Sequence, residues 1–268
     1  MALTTYPLNC GKHQIRDLDA DANGNFIALL SNNEVWTNTW KLALQQPFRY
    51  PFIRQLNEER FLIVEGRQSS GMNNNGHILD QSGRELLTFD AGDAVADVLV
   101  QAARIVISYF DEGIGNHKPS SDGLAVFDTQ GQQLYGYNSS ASGFILDCYC
   151  MTKQSDEVIL AYPYTEFPLL ELRLSDFQTI ERVTPVDFRG AYALSGSHDN
   201  VIFYARHEDQ NSFFWWNKQG KVQRFGRYNW LGLRGIGQGK FLRYDAQSFT
   251  IIDAMGLMRQ EHQRKSET

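Results

Sequence analysis

A short apolar run recurs six times along this chain, and a tight polar turn follows most of the copies. The runs are Phe26-Ile-Ala-Leu-Leu30, Phe61-Leu-Ile-Val64, Ile105-Val-Ile-Ser-Tyr109, Val158-Ile-Leu-Ala-Tyr162, Val201-Ile-Phe-Tyr204 and Phe241-Leu-Arg-Tyr244. Their starts differ by 35, 44, 53, 43 and 40 residues. β-Branched and aromatic residues dominate them, the composition a pleated and buried strand favours. The turns are Asp80-Gln-Ser-Gly83, Asp128-Thr-Gln-Gly131, Asn217-Lys-Gln-Gly220 and Asp253-Ala-Met-Gly256. In each, Asp or Asn opens the turn by accepting from its own backbone, and Gly supplies the positive φ of a bulged hairpin loop. The first and fourth copies are degenerate; the fourth reads Leu174-Ser-Asp-Phe177, with no Gly.

No long segment carries a helical period, so each repeat holds three or four short strands. Strands at a period near 40 to 45 are the pattern of a β-propeller blade. The fold class expected is therefore all-β, a β-propeller. Six anchors give six blades, with five or seven as the neighbouring counts and a β-sandwich or another strand solenoid as the competing architectures. The propeller is expected to fill residues 1–260 as one domain, with the anchors as inner or central strands. The N-terminal residues are expected to supply the outer strand of the last blade, which hides an edge. The polar residues 261–268 read as a frayed tail.

A net charge of -6 and a pI near 5.5 argue against nucleic acid as a direct ligand, which selects clustered Lys and Arg. No apolar run reaches the roughly 18 residues a membrane span needs. The first ten residues lack a basic start and an apolar core, so they do not read as a secretory signal. Three cysteines, Cys10, Cys148 and Cys150, make no disulfide framework. Together these point to a cytoplasmic protein.

Catalytic constellations are absent from the spacing. The six histidines form no metal-ligand pair. Cys148 and Cys150 flank Tyr149 on an expected strand and read as small buried hydrophobes. Ser195-Gly196 with His198 and Asp199 reads as a turn, not a triad. Gly235-Ile-Gly-Gln-Gly239 runs straight into the strand at Phe241, so it is a loop or hairpin and not a phosphate cradle. Asp97, Asp147 and Asp187 stand beside strands and would be the carboxylates of a channel-lining hydrolase site; turn capping is their other use. Phe213-Phe214-Trp215-Trp216 places two rings on each side of a strand, one pair for the core and one needing cover or a partner. The loop Asp111-Glu112-Gly113-Ile114-Gly115-Asn116, with Asp122, offers oxygen ligands. Its spacing fits neither an EF-hand nor a nonapeptide repeat, so it reads as a rim loop. No catalytic residue, metal or cofactor is expected.

The stretch from Ile105 to Gly131 resembles a group of bacterial β-propeller proteins. The shared pattern is strand, Tyr109-Phe110-Asp111-Glu112-Gly113, Gly115-Asn116, Gly123-Leu124, Phe127-Asp128, Gly131. The chain as a whole is similar to propeller-type immunity proteins of contact-dependent growth inhibition systems. That resemblance implies an inhibitor that occludes a secreted toxin domain, in some members an EndoU-type ribonuclease. It gives no binding residues, so the expected contacts come from chemistry: carboxylates Asp111, Glu112 and Asp122, with Tyr109 or Trp216 as an exposed aromatic anchor. The partner expected is a basic toxin domain such as a nuclease, bound as a 1:1 complex by a protein otherwise monomeric. The alternatives are a propeller hydrolase and a ligand- or protein-binding module with no toxin.

Overall fold

The structure is a computed structural model that describes residues 2–68, 74–140, 143–208 and 210–266. The described residues form six four-stranded antiparallel sheets. After an N-terminal strand β1 (Leu3–Pro7), the first blade is β2 (Ile15–Ala20), β3 (Phe26–Leu30), β4 (Glu34–Thr37) and β5 (Lys41–Ala43). The second is β6 (Pro51–Gln55), β7 (Arg60–Glu65), β8 (Gly76–Asp80) and β9 (Glu85–Phe89). The third is β10 (Val95–Gln101), β11 (Arg104–Tyr109), β12 (Leu124–Phe127) and β13 (Gln133–Gly136), with one-turn helices α1 (Asp111–Ile114) and α2 (Tyr137–Ser140). The fourth is β14 (Asp147–Lys153), β15 (Val158–Tyr164), β16 (Leu169–Arg173) and β17 (Thr179–Arg182). The fifth is β18 (Ala193–Ser197), β19 (Asn200–His207), β20 (Gln210–Trp216) and β21 (Val222–Tyr228). The sixth is β22 (Arg234–Gly237), β23 (Lys240–Tyr244) and β24 (Ser248–Asp253), and β1 completes it; helix α3 (Ala254–Ser266) follows. The fold is a six-bladed β-propeller. β1 pairs with β24 from Leu3 opposite Ile252 to Pro7 opposite Ser248, so the N-terminal residues do supply the missing outer strand.

All six anchors are second strands of their blades: β3, β7, β11, β15, β19 and β23. Their continuous apolar sequence follows from that place. A second strand is covered on both faces, so successive residues enter different cores and none is left to be polar. The chain divides into two compact units, one of residues 9–148 with 245–247, the other of residues 1–8, 149–244 and 248–268. In the first, Phe61 and Ile63 of β7 join Ile27, Leu29 and Val35 of the first blade, while Leu62 and Val64 join Ile105, Ile107 and Phe127 of the third. In the second, Val201 and Phe203 of β19 pack with Leu160, Tyr162 and Trp216, while Ile202 and Tyr204 pack with Phe213, Phe241 and Ile252. Each such side chain contributes about 1.5–3 kcal/mol on burial.

The Asp/Asn turns join third to fourth strands. Asp128 Oδ1 accepts from Gln130 N at 2.8 Å and Gln132 N at 2.9 Å, and Asn217 Oδ1 accepts from Gln219 N and Lys221 N, both at 3.0 Å. In the fourth blade Asp176 Oδ1 accepts from Gln178 N at 3.1 Å, and Phe177 adopts the positive φ (59°) that Gly takes elsewhere. The Asp253 segment is a correction. It is no hairpin but a helix start, with Asp253 Oδ1 accepting from Gly256 N at 2.8 Å in the first turn of α3. Residues 261–266 are likewise helical and not a frayed tail. Glu261 Oε2 accepts from Gly226 N at 2.7 Å, and His262 hydrogen-bonds Gln223, so α3 lies on the outer strand β21.

Candidate protein-binding face

Antiparallel order fixes which loops share an end of a blade. First-to-second and third-to-fourth turns emerge at one end; second-to-third loops and the links to the next blade emerge at the other. The Asp/Asn turns all lie at the first end. The exposed large apolar side chains avoid it. Leu3, Leu86, Leu134 and Ile180 stand on outer strands, and every other one among the described residues stands at the second end. In the first unit these are Tyr50 and Phe144, the latter 62% exposed. In the second they are Tyr149, Tyr164, Val183, Val186, Tyr192 and Leu231.

The second end of the third blade carries the acidic loop. Asp111 and Glu112 open α1 and are exposed. Arg67 ties Glu112 down, with Nη1 at 2.6 Å from Glu112 Oε2 and Nε at 3.2 Å from Asp93 Oδ1. Asp111 has no cation partner among the described residues; its Oδ1 accepts from Glu112 N at 2.9 Å. Asp147, at the start of β14, stands close enough to Asp111 for the two charges to matter. Burial, then repulsion from Asp111, raises the Asp147 carboxyl above its ordinary pKa. Phe144 belongs to this rim: Asn138 accepts from Ile145 N at 2.7 Å and donates to Ile145 O and Ser121 O, clasping the two loops together.

Three of the five expected contact residues do not reach the surface. Tyr109 is fully buried, and its hydroxyl donates to Ala91 O at 2.8 Å. Burial, with Asp90 and Asp122 nearby, holds its pKa well above the usual phenol value. Asp122 is buried against β13 and accepts from Gln133 Nε2 at 2.6 Å; a Cβ on Gly136 would fall 2.0 Å from its oxygen. Trp216 is 2% exposed and packs on Phe188 and Phe203. Asp111 and Glu112 remain as surface groups. Phe144 is the exposed aromatic of this rim, a residue the strand pattern does not reveal because it lies between elements.

The other candidates fall out as follows. Asp97 is on the inner strand β10 but bound: Arg54 Nη2 donates to Asp97 Oδ1 at 2.9 Å and Nη1 to Asp17 Oδ2 at 2.6 Å. Arg54 is 1% exposed. Burial acts to lower its pKa, and Asp17, Asp19 and Asp97 outweigh that and hold it above its usual range. β2, β6 and β10 each give one member to this network, which is structural. Asp187 is exposed in the 186–188 turn. Ser195 is fully buried on β18, while His198 and Asp199 form the turn to β19. Gly235 is on β22, where a Cβ would fall 1.7 Å from Leu194 O and 2.9 Å from Thr152 Oγ1, so these inner strands meet backbone to backbone. Cys148 and Cys150 are buried and Tyr149 between them is exposed, as alternation requires. Among the described residues no three His, Cys, Asp or Glu side chains stand together as a metal-binding group, and no helix is long and apolar enough to cross a membrane.

No protein-family model matches the chain, and no curated protein matches it. Solved structures do match. A streptogramin B lyase structure is 11% identical and superposes with a TM-score of 0.57 over 87% of this chain and 77% of that one. A structure of YCF48 bound to D1 peptide is 10% identical, with a TM-score of 0.55 over 92% of this chain and 81% of that one. At such identities the likeness is one of fold, and it places the chain among the β-propellers.

Proposed function

We propose that this protein is an immunity protein that binds a basic bacterial toxin domain and covers its active site. One observation carries the reading: in the first unit the exposed Tyr50 and Phe144 and the carboxylate of Asp111, which has no cation partner among the described residues, stand at one end of the blades, while the Asp/Asn turns stand at the other. Large apolar groups left in water mark contact surfaces. An unpaired carboxylate beside them selects a basic partner, and nuclease domains are basic because their substrate is polyanionic. Rigid blades support these loops, so little conformational entropy is lost on docking. The net charge of -6 agrees with it. The fold also hosts hydrolases, but no group of side chains described above favours that chemistry.

The test is to look for a toxin domain encoded beside this gene and to coexpress the two. Rescued growth and a 1:1 complex on size exclusion are expected. A protein that neither binds nor protects against that neighbour overturns the toxin reading. Turnover of a hydrolase panel by the purified protein would replace it with an enzyme.

A further inference from the structure

The apolar residues at the loop end of the fourth blade are assembled into one shelf. Tyr149 of β14 and Tyr164 of β15 lie nearly parallel, with ring centroids 6.1 Å apart and planes at 14°. Phe167 meets both edge-on, at 5.2 Å from Tyr149 and 5.5 Å from Tyr164, and is itself buried. The loop after β17 folds against this cluster. Thr184 Oγ1 donates to Phe167 O at 2.6 Å, and the Arg189 guanidinium stands 5.7 Å from the Phe167 ring centroid. Val183 and Val186 stand in this same loop, 92% and 78% exposed. Tyr149 and Tyr164 are about two-fifths exposed. Valines held in water gain nothing from folding, so burial in the free protein does not account for the shelf.

The charges around the shelf name what suits it. Glu166 and Asp187 are exposed carboxylates. The guanidinium nearest them, Arg189, is already engaged, paired with Glu166 at 3.1 Å and stacked on Phe167. Glu166 and Arg189 therefore offset one another, Asp187 is left as the one uncompensated charge of this group, and tyrosine π-faces attract cations. We propose that this shelf is a docking site for a protein segment in which an apolar side chain is flanked by Lys or Arg. The apolar group covers the tyrosines and valines while a flanking cation meets Asp187. Tyr and Arg dominate interface hot spots for these reasons of area and charge. That the segment belongs to a toxin rests on the function proposed above; the chemistry of the shelf does not.

The probes are two peptides, acetyl-Lys-Lys-Trp-Lys-Lys-amide and acetyl-Glu-Glu-Trp-Glu-Glu-amide, titrated into the full chain with labelled tyrosines and followed by NMR. The basic peptide should shift the Tyr149 and Tyr164 ring signals and bind at least about tenfold tighter than the acidic one, since each 1.4 kcal/mol is a factor of ten. Val183→Lys/Val186→Lys, at positions too exposed to affect folding, should abolish that preference, and Tyr149→Ser should weaken binding of both peptides. Equal binding of the two, or shifts confined to residues around Asp111, overturns the proposal. So does self-association in sedimentation that Val186→Lys removes, which would make a second copy the occupant. Failure to protect against the neighbouring toxin, with the shelf still selecting the basic peptide, sinks the toxin reading alone. A toxin bound and neutralised equally by Val183→Lys/Val186→Lys sinks the shelf alone.

Discussion

Asp147 sets a partly buried carboxyl against the like charge of Asp111. A raised carboxyl pKa means the ionised form is disfavoured in the fold. The favourable state, protonated, holds below the ordinary Asp value of about 3.9, and stability is lost as pH rises through the raised value. Asp147→Asn is therefore expected to raise Tm at pH 7, with the gain vanishing near pH 3; a lower Tm at pH 7 would refute this. Tyr109 makes the opposite case. Its hydroxyl satisfies Ala91 O inside the core, so Tyr109→Phe leaves a buried carbonyl unpaired and should cost about 1–3 kcal/mol in denaturant unfolding without touching partner affinity. The sequence placed Tyr109 at a strand end beside a polar loop, where an aromatic reads equally as surface or core. The choice was made by residues far away: Ala91 and Gly92 press on the ring, and β11 is covered on both faces. Asp122 was ambiguous for the same reason, since its partner Gln133 lies on another strand.

At the level of elements, the turns were legible because their chemistry is local. Asp128 and Gly131 make a turn from residues within four of each other, so pattern and structure coincide. Gly131 has φ +75°, and a Cβ there would fall 2.5 Å from Phe89. Gly131→Ala should cost more than about 1 kcal/mol, more than a φ penalty alone, because Phe89 must also move. Helix α3 was not legible. The same Asp-x-x-Gly spacing that closes hairpins caps a helix at Asp253, since one carboxylate can accept from the backbone in either setting. Its apolar residues are confined to its start, where Ala254 is buried and Met255, Leu257 and Met258 pack against the core of the second unit, and its polar half is held by Glu261 on the free N–H of the Gly226 bulge in β21. Burial pushes the Glu261 pKa up, but Lys265 and Gly226 N–H outweigh it and the net shift is downward. A lowered carboxyl pKa stabilises above the ordinary Glu value of about 4.3, and that contribution is lost as pH falls through the lowered one. Glu261→Gln should therefore lower Tm at pH 7 and match the wild type near pH 3, with the loss at pH 7 accompanied by faster amide exchange at Gly226.

For the molecule as a whole, the six anchors sufficed for the propeller because a second strand buried on both faces must be apolar along its length. The apolar shelf left no such trace. Tyr149, Tyr164 and the loop of Val183 and Val186 come from three separate segments of the fourth blade, each unremarkable alone; the pairing of its strands stacks the tyrosines, and Thr184 ties the loop to Phe167 beneath them. The acidic rim is a different kind of surface, and under the proposed function the two would make distinguishable contributions to binding. Exposed charges act over a Debye length, about 8–10 Å at physiological salt, so they speed encounter; desolvated apolar contacts act only once made, so they slow escape. Charge reversal at Asp111→Lys with Glu112→Lys should reduce the association rate with a basic partner by about 10- to 100-fold at low salt, within the range steering supplies, and leave dissociation nearly unchanged. Because Glu112 is held by Arg67, most of that effect should already appear in Asp111→Lys alone. Surface plasmon resonance against the proposed basic partner, repeated from about 50 to about 500 mM salt, separates the two rates. The wild-type association rate should fall steeply with salt and the double variant's should not. Parallel salt slopes for the two would remove the rim from the binding mechanism and leave the apolar shelf to account for affinity by itself.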